Sequence, residues 1–166
     1  YLDPGTNYVF LPNSGSRKLT SKFIGALATV KSDRFDCDIA LIGYPEYLIY
    51  PKETVRQLHK IDTYYFSRFY SPATAAPRRV ENLYKAKFGE SMMNTAPKMG
   101  LMGFDVGLYV MKSLAGGAVI NESTPLYEGV QSNFNFTRAS NWGGLFNKSY
   151  VIVHCTPSGQ TRYVVR

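Results

Sequence analysis

Short, unbroken apolar runs alternate along this chain with longer stretches in which apolar residues recur every three or four positions. "NYVFLP" (7–12) is an apolar run closed by proline, the habit of a buried strand. "NSGS" then supplies a turn. From Arg17 to Val30 the residues Leu19, Phe23, Ala26, Leu27 and Val30 share one face, which predicts an amphipathic helix capped by Ser14 or Ser16. "CDIALIGY" (37–44) does not alternate, as expected of a parallel strand covered on both faces. Pro45 stops it and "PEYLIYP" reads as a loop. Pro51 suits the first turn of a short helix reaching about Lys60. "DTYYFSRFY" (62–70) is a third strand that fades into a loop at "SPATAAP". Strand, helix, strand, helix, strand is a repeated βαβ unit, for which right-handed crossovers and a parallel sheet are expected.

After Pro77, "RRVENLYKAKFG" places Val80, Leu83, Tyr84 and Phe88 on one side of a helix, with Gly89 as its terminator. "APKMGLMGFDVGLYVMKSL" (96–114) reads as a further helix. Asn94 or Thr95 would cap it, Pro97 would lie in its first turn, and Gly116-Gly117 would end it. "GVQSNFNFT", "SYVIVHC" and "TRYVVR" then read as strands joined by turns. The expected fold class is α/β: a three-layer parallel-sheet, Rossmann-like lobe with an appended C-terminal antiparallel meander. Its parts are a βαβαβ lobe over 1–75, two helices over 76–117 and strands over 118–166, all within a single domain or fragment.

Composition narrows the function. A chain of 166 residues with 45% hydrophobic and 19% charged residues supports one real core. Aromatic content is high, at 14% with 13 Tyr, which suits recognition of polar or sugar-like ligands or a core roofed by amphipathic side chains. The net charge of +7 is scattered rather than gathered into a basic stripe, so a nucleic-acid partner is not expected. Affinity for an anionic polymer or a cell envelope stays open. No apolar run reaches the roughly 20 residues of a membrane span. Cys37 and Cys155 match no metal spacing and leave two readings, buried free thiols or one long-range disulfide. "YLDPGTNYVFLP" enters a strand almost at once, like the inside of a longer protein, so a missing signal peptide carries no information.

Catalytic constellations are poor. His59 is expected on an exposed helix face, and His154 adjoins Cys155 in a strand, where neighbours point to opposite faces and cannot form a dyad. No nucleophile elbow, zinc-protease, P-loop or dinucleotide motif occurs, so no enzyme, cofactor or metal is expected. The βα turns are more informative, because ligands of an open parallel sheet bind beyond the carboxyl ends of its strands. "LPNSGS" offers Ser14 and Ser16, "GYPEY" offers Tyr44, Glu46 and Tyr47, and "YYFSRFY" offers Tyr65, Ser67, Arg68 and Tyr70. Asp105, alone in an apolar helix, is either a ligand contact or an acid satisfied within the core.

The order of "DIALIGYPEY", "TYYFSRFY", the helix containing "GFDVG", "YEGVQSNFNF" and "NWGGLFNKSYVIVHCTPSG" resembles the later part of type I periplasmic binding proteins, the amino-acid receptors of ABC transporters. It is most similar to the LysM-containing group of such proteins in Bacteroidetes cell envelopes. The resemblance implies a C-terminal fragment, the second lobe plus a returning segment, in the periplasm or cell envelope. It implies a cleft between lobes that closes on an amino acid or muropeptide, with Asp105 near the hinge. It also implies peptidoglycan binding through upstream LysM repeats that these residues lack, and leaves a homodimer open. A rival reading is a structural or regulatory envelope protein that contacts a cell-wall enzyme without a small ligand.

Overall fold

A computed structural model describes residues 2–70, 75–117 and 120–165. The elements are, in order, β1 (Asn7–Phe10), α1 (Arg17–Asp33), β2 (Asp38–Ile42), α2 (Lys52–Ile61), β3 (Thr63–Ser67), α3 (Ala75–Phe88) and α4 (Met99–Ala115). Then follow β4 (Tyr127–Glu128), β5 (Asn133–Phe134), β6 (Phe136–Arg138), β7 (Leu145–Asn147), β8 (Val151–Cys155) and β9 (Thr161–Val165). Of the loop expected at "SPATAAP" (71–77), residues 71–74 lie outside the described residues and 75–77 form the first turn of α3 instead; 118 and 119, at the start of the C-terminal block, also lie outside. The chain forms two compact units, one running up to Ser67 and taking in Ile152–Val164, the other spanning Arg68–Val151.

The first unit is built on a five-stranded sheet ordered β1-β2-β3-β8-β9. β1 runs parallel to β2, with Tyr8 beside Ile39 and Phe10 beside Leu41, and β2 runs parallel to β3, with Leu41 beside Thr63. β8 and β9 are joined by a tight turn in which Thr156 N–H donates to the Gln160 carbonyl at 2.8 Å, and Gly159 takes φ 79°. So short a connection makes an antiparallel pair, and the sheet is mixed. The core consists of Ile24 and Leu27 of α1, Leu58 and Ile61 of α2, and the inward residues Ile39, Leu41, Tyr65 and Val153.

Two expectations need correcting here. The sheet of this unit is not three-layered, since α1 and α2 pack against each other and so lie on one face. Consecutive strands laid down in one direction by crossovers of one hand put their helices on the same side. The opposite face, with Val9 at 57% and Phe66 at 61% exposure, is left open within the unit, so β2 is not a strand covered by helices on both sides. The C-terminal strands are likewise not one appended meander. β4–β5 and β6–β7 are separate antiparallel hairpins, while β8 and β9 complete the main sheet.

Helix α1 starts at Arg17 as expected, and the Ser16 hydroxyl caps it by accepting the Leu19 N–H at 3.4 Å. Its buried face is nevertheless turned by one residue. Thr20, Ile24, Leu27 and Ala28 are buried, whereas Leu19 is 60% exposed and Ala26 is exposed. The segment 45–49, expected as a loop, winds into a 3₁₀ turn, Pro45–Ile49.

In the second unit, α4 begins at Met99 rather than in the turn containing Pro97, and neither Asn94 nor Thr95 caps it. The N-cap is Lys98, whose own side chain makes no capping bond. Instead the Gln131 side chain accepts the Lys98 N–H through Oε1 at 3.0 Å and donates from Nε2 to the Lys98 carbonyl at 3.2 Å. The inner side of α4 is Leu101, Asp105, Tyr109 and Ser113. Tyr109 stacks among Tyr127, Phe134 and Phe136, with ring centroids 5.1–5.8 Å away, and this aromatic cluster is the unit's centre. Gly89 ends α3 with φ 76°, as its sequence predicts. The expected apolar side of α3 is largely open, however, with Leu83 and Phe88 both exposed.

Candidate functional site

The carboxyl ends of β1 and β2 border a cleft of about 330 Å³ lined by Asn13, Ser14, Gly15, Tyr44, Glu46, Tyr47 and Tyr50. One wall is the β1–α1 loop. Ser14 Oγ accepts the Ser16 N–H at 3.2 Å, which fixes the turn, and its hydroxyl proton remains available to a ligand. The other wall is the 3₁₀ turn, held by Tyr47 N–H to the Tyr44 carbonyl at 3.0 Å and Tyr50 N–H to the Tyr47 carbonyl at 3.1 Å. Arg17 ties the walls together. Its guanidinium donates to the Ile49 carbonyl and lies 4.9 Å above the Tyr50 ring.

Tyr47 is the pivot of the cleft. It is only 4% exposed, its ring meets Tyr44 edge-on at 5.8 Å, and Tyr50 lies 5.2 Å away. A Cβ on Gly43 would fall 2.8 Å from the Tyr47 ring, so only glycine lets the ring fold back onto the end of β2. Burial, with smaller contributions from Tyr50, Tyr44 and Glu46, pushes the Tyr47 hydroxyl up to about 12. The hydroxyl therefore keeps its proton at neutral pH, and it makes no hydrogen bond to a described residue. Tyr44 and Glu46 are exposed at the rim. Ring faces, a buried phenol, a serine hydroxyl and one carboxylate can grip a small polar molecule by stacking and hydrogen bonding.

Of the residues singled out in the sequence, the cleft brings together Ser14, Tyr44, Glu46 and Tyr47. The others stand elsewhere. Ser16 is spent on the helix cap. Tyr65 is 1% exposed in β3 with its hydroxyl sealed and unpartnered, and burial raises its pKa strongly. Ser67 is buried in the same strand. Arg68 donates to the Asn147 carbonyl. Tyr70 donates its N–H to the Gln131 carbonyl at 2.9 Å and its hydroxyl to Asn133 Oδ1 at 3.4 Å.

Asp105 is fully buried and faces the 129–133 loop rather than an open surface. Oδ1 accepts the Val130 N–H, and Oδ2 accepts the N–H groups of Gln131 and Ser132, each at 2.8 Å. The loop is a small nest of backbone donors, and the protein's own acid fills it. Gly129 allows the approach, because a Cβ there would lie 2.5 Å from Asp105 Cγ.

The two histidines each find a partner within the first unit. His154 Nε2 is 2.5 Å from Asp62 Oδ1 and its ring stacks on Tyr64 at 4.0 Å, while His59 is half-buried with Nδ1 3.2 Å from the Thr156 carbonyl. His59 is thus not the exposed residue expected from its helix. Cys37 and Cys155 are both buried free thiols, which removes the disulfide reading. No group of three or more His, Cys, Asp or Glu that could hold a metal occurs among the described residues.

Sequence reasoning missed Asn13, Gly15, Tyr50 and Gln131. The first three adjoin recognised turn residues and could have been found by taking whole turns instead of single side chains. Gln131 left no periodic signal, since its contacts are made by a loop. Compared with known proteins, the chain matches no family model, no curated sequence and no solved structure.

Proposed function

We propose that this chain is a non-catalytic ligand-binding module of a bacterial cell envelope, similar to the second lobe of a type I periplasmic binding protein, and that it takes a small polar ligand in the cleft of Asn13, Ser14, Tyr44, Glu46 and Tyr47. In the whole protein the module would be joined to peptidoglycan-binding LysM repeats, and the ligand would be an amino acid or a cell-wall fragment. The observation that carries the reading is Tyr47, whose nearly buried ring lines the cleft and whose protonated hydroxyl makes no hydrogen bond to a described residue. A hydroxyl with no partner in the chain is free to donate to and accept from a ligand. Among the described residues the Ser14 hydroxyl is bonded by the Ser16 N–H and by no general base, which suits binding better than nucleophilic attack.

A thermal-shift screen of the chain with amino acids, muropeptides and sugars tests this. A ligand at 100 times its dissociation constant stabilises by about 2.7 kcal/mol, a shift of roughly 5–10 °C for a chain of this size. No shift with any of the three classes sinks the proposal and leaves the structural-envelope reading in its place.

A further inference from the structure

The β6–β7 hairpin of the second unit is a built feature with an unusual tip. Its base is pinned by Asn147, which accepts the N–H groups of Asn135 at 2.9 Å and Ser149 at 3.1 Å and donates to the Asn133 carbonyl at 2.7 Å. Its turn is closed by Ala139 N–H to Gly144 and Gly143 N–H to Ser140, at 3.2 and 3.0 Å. On this fixed support Trp142 stands 99% exposed. With Leu145 and Phe146 also exposed on the strand that follows, Trp142 belongs to an apolar patch rather than standing as a single surface residue.

The residues around it tell what kind of partner fits. Arg138 pairs across the hairpin with Leu145, and Thr137 with Phe146. Directly opposed residues share a face, so Leu145 lies on one face of the hairpin and Phe146 on the other. Both are exposed, at 37% and 45%. Phe136, two residues before Arg138, shares the Leu145 face and packs on Tyr109, so Leu145 is exposed at the free end of that face while the Phe146 face is open. Charge adds a second argument. No Asp or Glu follows Glu128 in the chain, so the hairpin carries Arg138 and Lys148 with no acid of its own. Arg138 reaches Glu122 at 3.4 Å, but both side chains are about half exposed and the pair is weak.

We propose that the Trp142 hairpin is a membrane-surface contact: Trp142, Leu145 and Phe146 enter the headgroup level of an anionic bilayer, and Arg138 and Lys148 lie against its phosphates. The tip is amphipathic in the way interfacial anchors are, with an indole N–H for the wet side and its ring for the hydrocarbon side. It does not span the membrane. It holds the second unit at the surface.

Trp142 is the sole tryptophan of the chain, so its fluorescence reports this site alone. The experiment mixes the intact chain with vesicles of phosphatidylcholine, with or without phosphatidylglycerol. Anionic vesicles are expected to shift Trp142 emission to the blue and to let brominated lipid quench it. Trp142→Ala is expected to weaken co-sedimentation by about tenfold. Arg138→Gln with Lys148→Gln is expected to weaken it by about 30-fold on anionic vesicles and hardly at all on neutral ones. Unchanged far-UV circular dichroism shows that each variant folds. Vesicles that bind without moving the Trp142 emission overturn the proposal. So does a lack of binding to anionic vesicles, or an emission shift produced only by soluble glycan fragments.

Discussion

Asp105 accepts the backbone N–H of Gln131 at 2.8 Å, and the Gln131 side chain closes the first turn of the helix on which Asp105 stands. Helix and loop thus fix each other, and the Tyr70 N–H adds a third strut on the Gln131 carbonyl. Replacing Asp105 with alanine strands three backbone donors, those of Gln131 and Ser132 buried and that of Val130 part-buried. A stranded buried donor costs about 1–3 kcal/mol, so Asp105→Ala should lose at least about 2 kcal/mol in urea unfolding. Asp105→Asn should lose less, because its carbonyl oxygen still accepts. If instead Asp105→Ala kept full stability and lost ligand affinity, the acid would be a binding residue.

Gly129→Ala attacks the same knot from the other side. Its Cβ would meet the Ser132 carbonyl at 2.3 Å and Asp105 Cγ at 2.5 Å, so the loop must move, at a cost of about 2–3 kcal/mol. Combined with Asp105→Ala, the losses should fall well short of additive, since both variants break one network. Additive losses in a double-mutant cycle would mean that the two residues act separately.

Much of this was legible in the sequence, and the failures have physical causes. Strands β1, β2 and β3 announced themselves because each is a short apolar run stopped by proline or a polar turn. The face of α1 was misjudged because Leu19 and Phe23 are the larger apolar residues, yet Thr20 takes the buried place and donates its hydroxyl to the Ser14 carbonyl at 3.5 Å. The start of α4 was misjudged because the cap comes from Gln131, 33 residues away, and local rules see only local caps. At the site, Tyr44, Glu46 and Tyr47 were found because they follow a strand end. Tyr65 and Ser67 were not separable from them, since alternation in β3 turns Tyr65 and Ser67 inward while Phe66 points out.

Tyr47→Phe removes the hydroxyl without emptying the space of the ring. Stability should be unchanged or slightly higher, because that hydroxyl has no described partner to lose, while affinity for any ligand found in the screen should fall by about tenfold. Isothermal titration of both forms checks the pair of outcomes.

Tyr65→Phe should behave differently in one respect. Its hydroxyl is sealed and unpartnered, so removal should stabilise the chain by up to about 1 kcal/mol and leave ligand affinity where it was. A drop in affinity would return Tyr65 to the site.

Burial pushes the Cys155 thiol up to about 11, against an opposing hydrogen bond from Thr161. The folded chain then favours the neutral thiol, while the unfolded thiol ionises near its ordinary value of about 8.5. This contribution to stability is complete at neutral pH and is lost as pH rises from about 9 through 11, by about 3 kcal/mol. Cys155→Ala should flatten that part of the curve in urea unfolding measured across pH.

Between the neighbours β3 and β8 lie 83 residues, 68–150, all of them in the second unit. In the growing chain, β1, β2 and β3 exist long before β8 does. Until β8 arrives, β3 is a bare sheet edge whose N–H and C=O groups invite any passing strand. A ribosome paused within the second unit would therefore display a sticky half-sheet, and the safest moment for a chaperone to hold this protein is the interval in which α3, α4 and the hairpins are being made.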